Sequence, residues 1–260
     1  MITWGISANS HDAALAVFGN DGLEFASHSE RFSGIKNDPD LNKQLVDYAR
    51  KWGEPDEIIW YERPFRKTLR QLRAGQGLRL GENNIRSYLR SYGIHAPIRY
   101  TDHHLSHAAA GYYTSPFREA TVVCIDSIGE FESLTIWNAT GDNLRRAYTQ
   151  SYPHSVGLWY SAMTQRIGLK PNEDEYILMG MAAYGNPHRL FIDVLNDFID
   201  KEGIGYNPRI KIKHNLHRGC RRWRPDLTTE QDMFDIAAAT QAVYEYILKN
   251  TLLWASRNCP

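Results

Sequence analysis

Cysteine is scarce. Cys124, Cys220 and Cys259 are the only three in 260 residues, and a sparse, odd set excludes a disulfide framework and suits a reducing compartment. Long apolar runs are absent too, and none approaches the roughly 20 residues a membrane span requires. The opening Met1-Ile2-Thr3-Trp4-Gly5-Ile6 has no basic stretch leading into an apolar one, so no secretory signal is expected. Without export, the sequon Asn138-Ala139-Thr140 is idle. Neither sign of charge is in excess: Lys plus Arg and Asp plus Glu are 30 each, for a formal net charge of zero. That balance argues against a dedicated nucleic-acid or membrane-surface binder. No Walker A pattern, no Gly-x-Gly-x-x-Gly after a strand, no Gly-x-Ser-x-Gly elbow and no Cys-x-x-Cys occurs, which leaves the usual nucleotide-binding, hydrolase and zinc-finger readings unsupported. What remains is a chain expected to be globular, soluble and cytoplasmic, with 42% hydrophobic and 12% aromatic residues, enough to bury a core.

The chain opens as a strand meander. Residues 2–7 and 13–18 are short apolar runs, Gly19-Asn20-Asp21-Gly22 is a tight turn, and 23–29 reads as a third strand. Residues 40–52 carry Leu41, Leu45, Val46, Tyr48 and Ala49 at helical spacing. Residues 57–61 and 98–100 read as strands, and the basic, glycine-interrupted stretch 63–90 reads as loop plus helix. Asp102 is placed to cap a helix over 103–113. Residues 119–126 form the clearest buried strand, and 132–138 with 144–150 a hairpin. Helices are expected over 155–167, 174–184, 189–201 and 229–257, the last opened by a capping-box-like Thr228-Thr229-Glu230-Gln231. The β-rich part thus runs over 1–150 and the helical part over 151–260. Strands followed by helices imply an α/β or α+β sheet domain with a helical layer.

Chemistry concentrates in a few stretches. In Thr101-Asp102-His103-His104-Leu105-Ser106-His107, His103 and His107 are four apart, so one helix face presents both imidazoles to one metal. His104 points elsewhere. Spacing alone does not choose among Fe, Zn, Ni and Cu, and a lone pair of this kind is as well explained by a His-rich surface turn. Asp126 ends the strand 119–126, where open α/β sheets gather ligands, and would complete a three-ligand cation site. Asp126-Ser127-Ile128-Gly129-Glu130 is a small-residue turn able to aim backbone N–H groups at a phosphate, with Ser127 and Gly129 as the nearest positions. The loop Ala8-Asn9-Ser10-His11-Asp12 has the same shape. His11 at its tip is either a general base near neutral pH or a plain exposed turn residue. Around Gly180, in Met179-Gly180-Met181-Ala182-Ala183-Tyr184-Gly185, a thin helix face serves close packing or close approach of a ligand. Gly185 and Pro187 stop that helix. Two basic regions, one holding Arg63, Arg66, Lys67, Arg70 and Arg73, the other running from Arg209 to Arg224, read as solvated or anionic-substrate-facing surface rather than as nucleic-acid contacts.

In order along the chain, several of these segments resemble the O-carbamoyltransferases of the NodU/CmcH class. The matching pieces are Gly5-Ile6-Ser7-Ala8 through His11-Asp12-Ala13-Ala14, Ser29-Glu30-Arg31-Phe32-Ser33 through Lys36-Asn37-Asp38, and His103-His104-Leu105-Ser106-His107-Ala108. They continue with Asp126-Ser127-Ile128-Gly129-Glu130, Pro153-His154-Ser155-Val156-Gly157-Leu158-Trp159-Tyr160-Ser161 and Met179-Gly180-Met181-Ala182-Ala183-Tyr184-Gly185. Their colinearity is more specific than any one motif.

The resemblance implies an actin/hexokinase-like (ribonuclease H-like) mixed sheet with flanking helices. It implies an enzyme that makes a carbamoyl-adenylate from carbamoyl phosphate and ATP and passes the carbamoyl group to a small-molecule hydroxyl. The family's metal ligands for an iron-type divalent ion fall on His103, His107 and Asp126, its loop facing the transfer centre on His11, and a side chain meeting the anionic intermediate on Lys36. Ser127 departs from the glycine that usually follows the family's strand-end Asp. The chain stops where the family's second nucleotide-binding half begins, so a Gly-Gly strand turn, a fourth ligand Asp and the carbamoyl-phosphate-processing domain are not found. Catalysis is therefore expected to need the C-terminal half, from a separate chain or from a longer gene product, and self-association would cover the face where that half docks. The alternatives are a catalytically incomplete metal- or nucleotide-binding remnant and another actin-like enzyme.

Overall fold

The computed structural model describes residues 1–77, 81, 83–200 and 211–259. Two compact units divide the chain, residues 1–106 and residues 107–260. The change from strands to helices near residue 150 lies inside the second unit.

In the first unit, β1 (Thr3–Ser7), β2 (Ala14–Gly19) and β3 (Gly22–His28) form an antiparallel meander, turned by Gly22 at φ 115°. β4 (Glu57–Trp60) and β5 (Ile98–Tyr100) add parallel to β1, giving the order β3-β2-β1-β4-β5. This five-stranded mixed sheet with flanking helices is the pattern that the resemblance implies. Alternation sets its inner face: Trp4, Ile6, Leu15, Val17, Ile58 and Trp60 are buried. Leu45, Val46 and Ala49 of α2 (Lys43–Ala49) pack on it. That helix is shorter than the expected 40–52. The Asn42 side chain accepts from Leu45 N at 2.8 Å and caps it, and Arg50–Trp52 tightens into a 3-10 turn. A one-turn helix α1 (Glu30–Ser33), not expected from the sequence, is closed by Gly34 at φ 69°.

The stretch 63–90 holds two helices rather than one. α3 (Pro64–Arg73) starts with proline at a position that needs no N–H. α4 (Ile85–Ser91) is capped by Asn84, which accepts from Ser87 N at 3.1 Å. Residues 78–80 and 82 of this reading lie outside the described residues. α3 is inside out: Lys67, Thr68 and Gln71 are buried, while Phe65, Leu69 and Leu72 face solvent.

α5 (His103–Tyr113) is a single unbroken helix, as expected, and the division between units falls within it. β6 (Glu119–Ile125), β7 (Glu132–Thr140) and β8 (Asn143–Ser151) form a separate antiparallel sheet, ordered β6-β7-β8. Among the described residues the strands therefore lie in two sheets. Central β7 is buried on both faces for most of its length, whereas edge strand β8 alternates.

α6 (Val156–Arg166), α7 (Glu175–Met181), α8 (Phe191–Phe198) and α9 (Glu230–Asn258) enclose a core containing Trp159, Met163, Leu178, Val194, Ile236 and Val243. α7 ends earlier than expected, tightening into a 3-10 turn at Ala182–Tyr184. α8 ends at Phe198 because Ile199 turns extended and bridges Ile212; residue 201, its expected end, and Arg209 of the second basic region lie outside the described residues. α9 has a true capping box, with Asp232 rather than a glutamate closing onto Thr229. Among the described residues, no helix is long and apolar enough to cross a membrane.

Candidate metal centre

α5 is fixed at its start by side chains of the first unit. The Asp102 carboxylate, expected as its cap, pairs through Oδ1 with Arg63 Nε and Arg66 Nη1, both at 3.1 Å. The Asp102 carbonyl accepts from Ser106 N at 3.0 Å, and Ser106 Oγ donates to the Tyr61 carbonyl at 2.9 Å, tying the helix to the end of β4. The His103 ring lies 5.5 Å from the Tyr61 ring, centroid to centroid. One residue on, His104 is fully buried, as its different direction on the helix requires. His107 returns to the face of His103 and is exposed.

Asp126 follows β6, its N–H donating to the Ser133 carbonyl at 2.9 Å. One ligand atom each from His103, His107 and Asp126 lie within 4.8 Å of one another. Two ligands about 2.1 Å from one ion are at most about 4.2 Å apart, so closing on a cation takes a shift of only about an ångström, within reach of side-chain rotation. Two imidazoles and a carboxylate suit a borderline divalent ion such as iron or zinc. Burial pushes the nearby Cys124 thiol up, so it offers no thiolate to such an ion.

The turn after Asp126 is held from α6. Ser155 Oγ accepts from Leu158 N at 3.1 Å, capping the helix, and donates to the Ser127 carbonyl at 2.5 Å. Gly157 presses on the same turn: a Cβ there would lie 2.8 Å from Ser127 Cα and N. Sequence reasoning gave neither residue a role, although a glycine in the first turn of a helix, two residues after a serine cap, is a readable signal of close approach.

The turn differs from the phosphate cradle expected of Ser127 and Gly129. Ser127 N donates to Asp126 Oδ1 at 2.6 Å and Gly129 N to the Glu132 carbonyl at 2.9 Å, so both N–H groups are engaged within the turn. Gly180, on α7, has no atom within 4 Å of a notional Cβ, so close helix packing does not explain it. Gly185 is the packing glycine. Its backbone is extended (φ −104°), and a Cβ would meet the Phe234 carbonyl oxygen at 2.0 Å. The helix has already ended before Gly185, which therefore serves contact with α9 rather than termination.

His11 stands on the β1–β2 loop, 77% exposed, its Nδ1 2.8 Å from Asp12 Oδ2. Asn9 and Asp12 adopt left-handed backbone (φ 63° and 52°), which their short polar side chains tolerate. The loop is stitched to the segment after α1: Asn9 N donates to the Pro39 carbonyl (2.8 Å) and Ala13 N to that of Asp38 (2.7 Å). Lys36, exposed, belongs to that segment. From α3, Lys67 Nζ donates to the Asn9 carbonyl at 3.1 Å and pairs with Glu62 Oε1 at 2.7 Å. Lys67, read as part of a solvated basic surface, is thus a buried anchor of the His11 loop.

Residues 58–253 match the family model described as Carbamoyltransferase N-terminus, and the chain belongs to that family. An uncharacterized protein of Synechocystis sp. is 31% identical over 289 residues, covering 94% of this chain and 46% of its own length. Nodulation protein NolNO of Sinorhizobium fredii is 27% identical over 263 residues, covering 93% of this chain and 38% of its own. The chain spans less than half the length of these relatives. A Ppx/GppA phosphatase structure from Aquifex aeolicus covers 97% of this chain and 93% of its own at 13% identity and a TM-score of 0.36.

Proposed function

We propose that the chain is the N-terminal part of a carbamoyltransferase that moves a carbamoyl group from a carbamoyl-adenylate, made from carbamoyl phosphate and ATP, to a hydroxyl of a small-molecule acceptor. Family membership supports carbamoyl transfer, and the convergence of His103, His107 and Asp126 is the observation that supports the site. These three side chains would hold a divalent cation, iron by resemblance. Bound there, it would offset negative charge on the phosphate oxygens of the nucleotide. His11, turned by Asp12, serves as the base on the acceptor hydroxyl. Lys36, carried beside that loop, offers a cation to the anionic intermediate. Ser127 and Gly129 line the nucleotide with backbone rather than with free N–H donors, and Gly180 leaves room for it. Since the relatives are more than twice as long, turnover is proposed for this part acting with the remaining half.

Metal analysis after loading with Fe(II) tests the site. About one equivalent is expected in the wild type and almost none in His103→Ala or Asp126→Asn, with folding checked by circular dichroism. Equal content in all three rejects the site. Mixing with the separately made C-terminal part of a relative then tests turnover: carbamoyl transfer supports the enzyme reading, and metal binding without transfer supports a remnant.

A further inference from the structure

β6 has the sequence of a sheet interior and the position of a sheet edge. Apart from Glu119 it is uncharged, and Ala120, Val122, Val123 and Ile125 are apolar. Near-continuous apolar runs mark strands covered on both faces, above all those with parallel neighbours. Yet β6 borders the sheet β6-β7-β8, and Ala120, Thr121, Val122, Val123 and Ile125 are only half-buried. The opposite edge is managed: β8 alternates, carries Arg145 and Arg146, and slips register twice against β7, which are devices that blunt an edge. β6 has none of them. It keeps one register with β7 from Glu119 to Ile125 and contains no lysine, arginine or proline.

The pairing shows which groups are open. Asp126 N donates to the carbonyl of Ser133, the next residue in register, so the ladder to β7 runs through residues 126, 124, 122 and 120. Thr121, Val123 and Ile125 turn their N–H and C=O groups the other way, where among the described residues they meet no backbone partner. The first unit shows how such an edge is filled. There β1 begins the same antiparallel meander, and β4, returning after α1 and α2, pairs parallel to its other edge. In the second unit β6-β7-β8 repeats the meander and α6 to α9 follow it, but the place beside β6 that corresponds to β4 holds no strand among the described residues. The longer relatives carry more than half of their length outside the matched part.

We propose that the open edge of β6 takes a β-strand from that further part of the longer family members, running parallel to β6 towards Asp126. Main-chain hydrogen bonds along the edge supply the affinity. The inference deepens the carbamoyl-transfer reading by naming how the remaining half engages this one, and rests on it for the partner's identity.

Co-expression of this chain with the C-terminal part of the Synechocystis relative, so that neither has to fold alone, tests the pairing. The two are expected to co-purify. Hydrogen exchange should slow about tenfold or more at the Thr121, Val123 and Ile125 amides relative to the chain alone. Ala120, Val122 and Cys124, already bonded to β7, should change far less. Val123→Pro removes one outward N–H and leaves the bonds to β7 in place, a substitution that edge strands accept. It should leave the thermal stability of the chain alone nearly unchanged and weaken the complex at least about tenfold. The exchange measurement on the wild type decides the matter even where the proline variant does not fold. Failure of the co-expressed parts to associate, a complex in which those three amides exchange as before, or pairing of two copies of this chain through the same edge overturns the proposal. Carbamoyl transfer is scored separately. A complex protected along β6 but inactive with carbamoyl phosphate and ATP counts against the enzyme reading alone, and an active Val123→Pro complex of undiminished affinity against the edge alone.

Discussion

Replacing Lys67 by methionine removes the cation from a pair in which the Lys67 and Glu62 side chains are 9% and 5% exposed. Methionine fills much the same volume, so packing changes little and charge dominates. The Glu62 carboxylate is left buried without its partner, and losing one member of a buried pair costs about 3–5 kcal/mol. The Asn9 carbonyl loses its Lys67 donor as well, adding about 1 kcal/mol. Urea denaturation followed by tryptophan fluorescence, with Trp4 and Trp60 buried in the same core, should show the first unit destabilised by about 4–6 kcal/mol. In Glu62→Gln/Lys67→Met both charges are gone, so the loss should be much smaller than the sum of the single losses. Hydrogen exchange should speed up in residues 8–13, where the anchored loop holds two left-handed residues. A Lys67→Met protein within about 0.5 kcal/mol of wild type, or additive single losses, would refute the view that this pair holds the His11 loop.

Gly157→Ala pits two effects against each other. Helix propensity alone predicts stabilisation of about 1 kcal/mol, but a Cβ 2.8 Å from Ser127 backbone atoms forces the turn to move, at about 1–3 kcal/mol. The expected result is lower thermal stability and reduced metal content, and a more stable variant with full metal content would show that the contact is slack. Asp232 tests pH dependence in the second unit. Its hydrogen bonds to Thr229, helped by Arg189, hold its carboxyl well below the usual range. The stabilisation is thus present above the unfolded value of about 3.9 and is lost as pH falls towards the lower folded value. Stability measured from pH 6 downward should decline below about pH 4 in the wild type and less steeply in Asp232→Asn; parallel curves would dismiss the contribution of this group.

Local signals proved sufficient where residue chemistry and period agree. α5 is found from its histidine and alanine spacing, β6 from its apolar run, and α9 from its cap and stripe. His103, His107 and Asp126 were legible as a set because one helix turn and one strand end determine where they stand. α3 was not legible, since its period is helical but its polarity is reversed: a rule that buries apolar residues cannot place Lys67 inside and Phe65 outside. The division of the strands between two sheets depends on pairing partners far apart in sequence, which periodicity does not encode. Engagement of the Ser127 and Gly129 N–H groups likewise depends on hydrogen bonds to Asp126 and Glu132 that the turn's composition does not reveal.

α9 runs 29 residues without interruption, about 43 Å. Ile236 and Val243 near its beginning belong to the helical core, whereas Ala255 packs with Leu134 and Ile136 of β7, and the Cys259 carbonyl just beyond the helix accepts from Thr121 Oγ1 of β6. Both ends are therefore phased to fixed neighbours, like a key cut with two sets of teeth. Adding or deleting one residue midway would swing one end about 100° relative to the other and turn one set of teeth away from its lock. The length of this helix should consequently tolerate substitution far better than insertion.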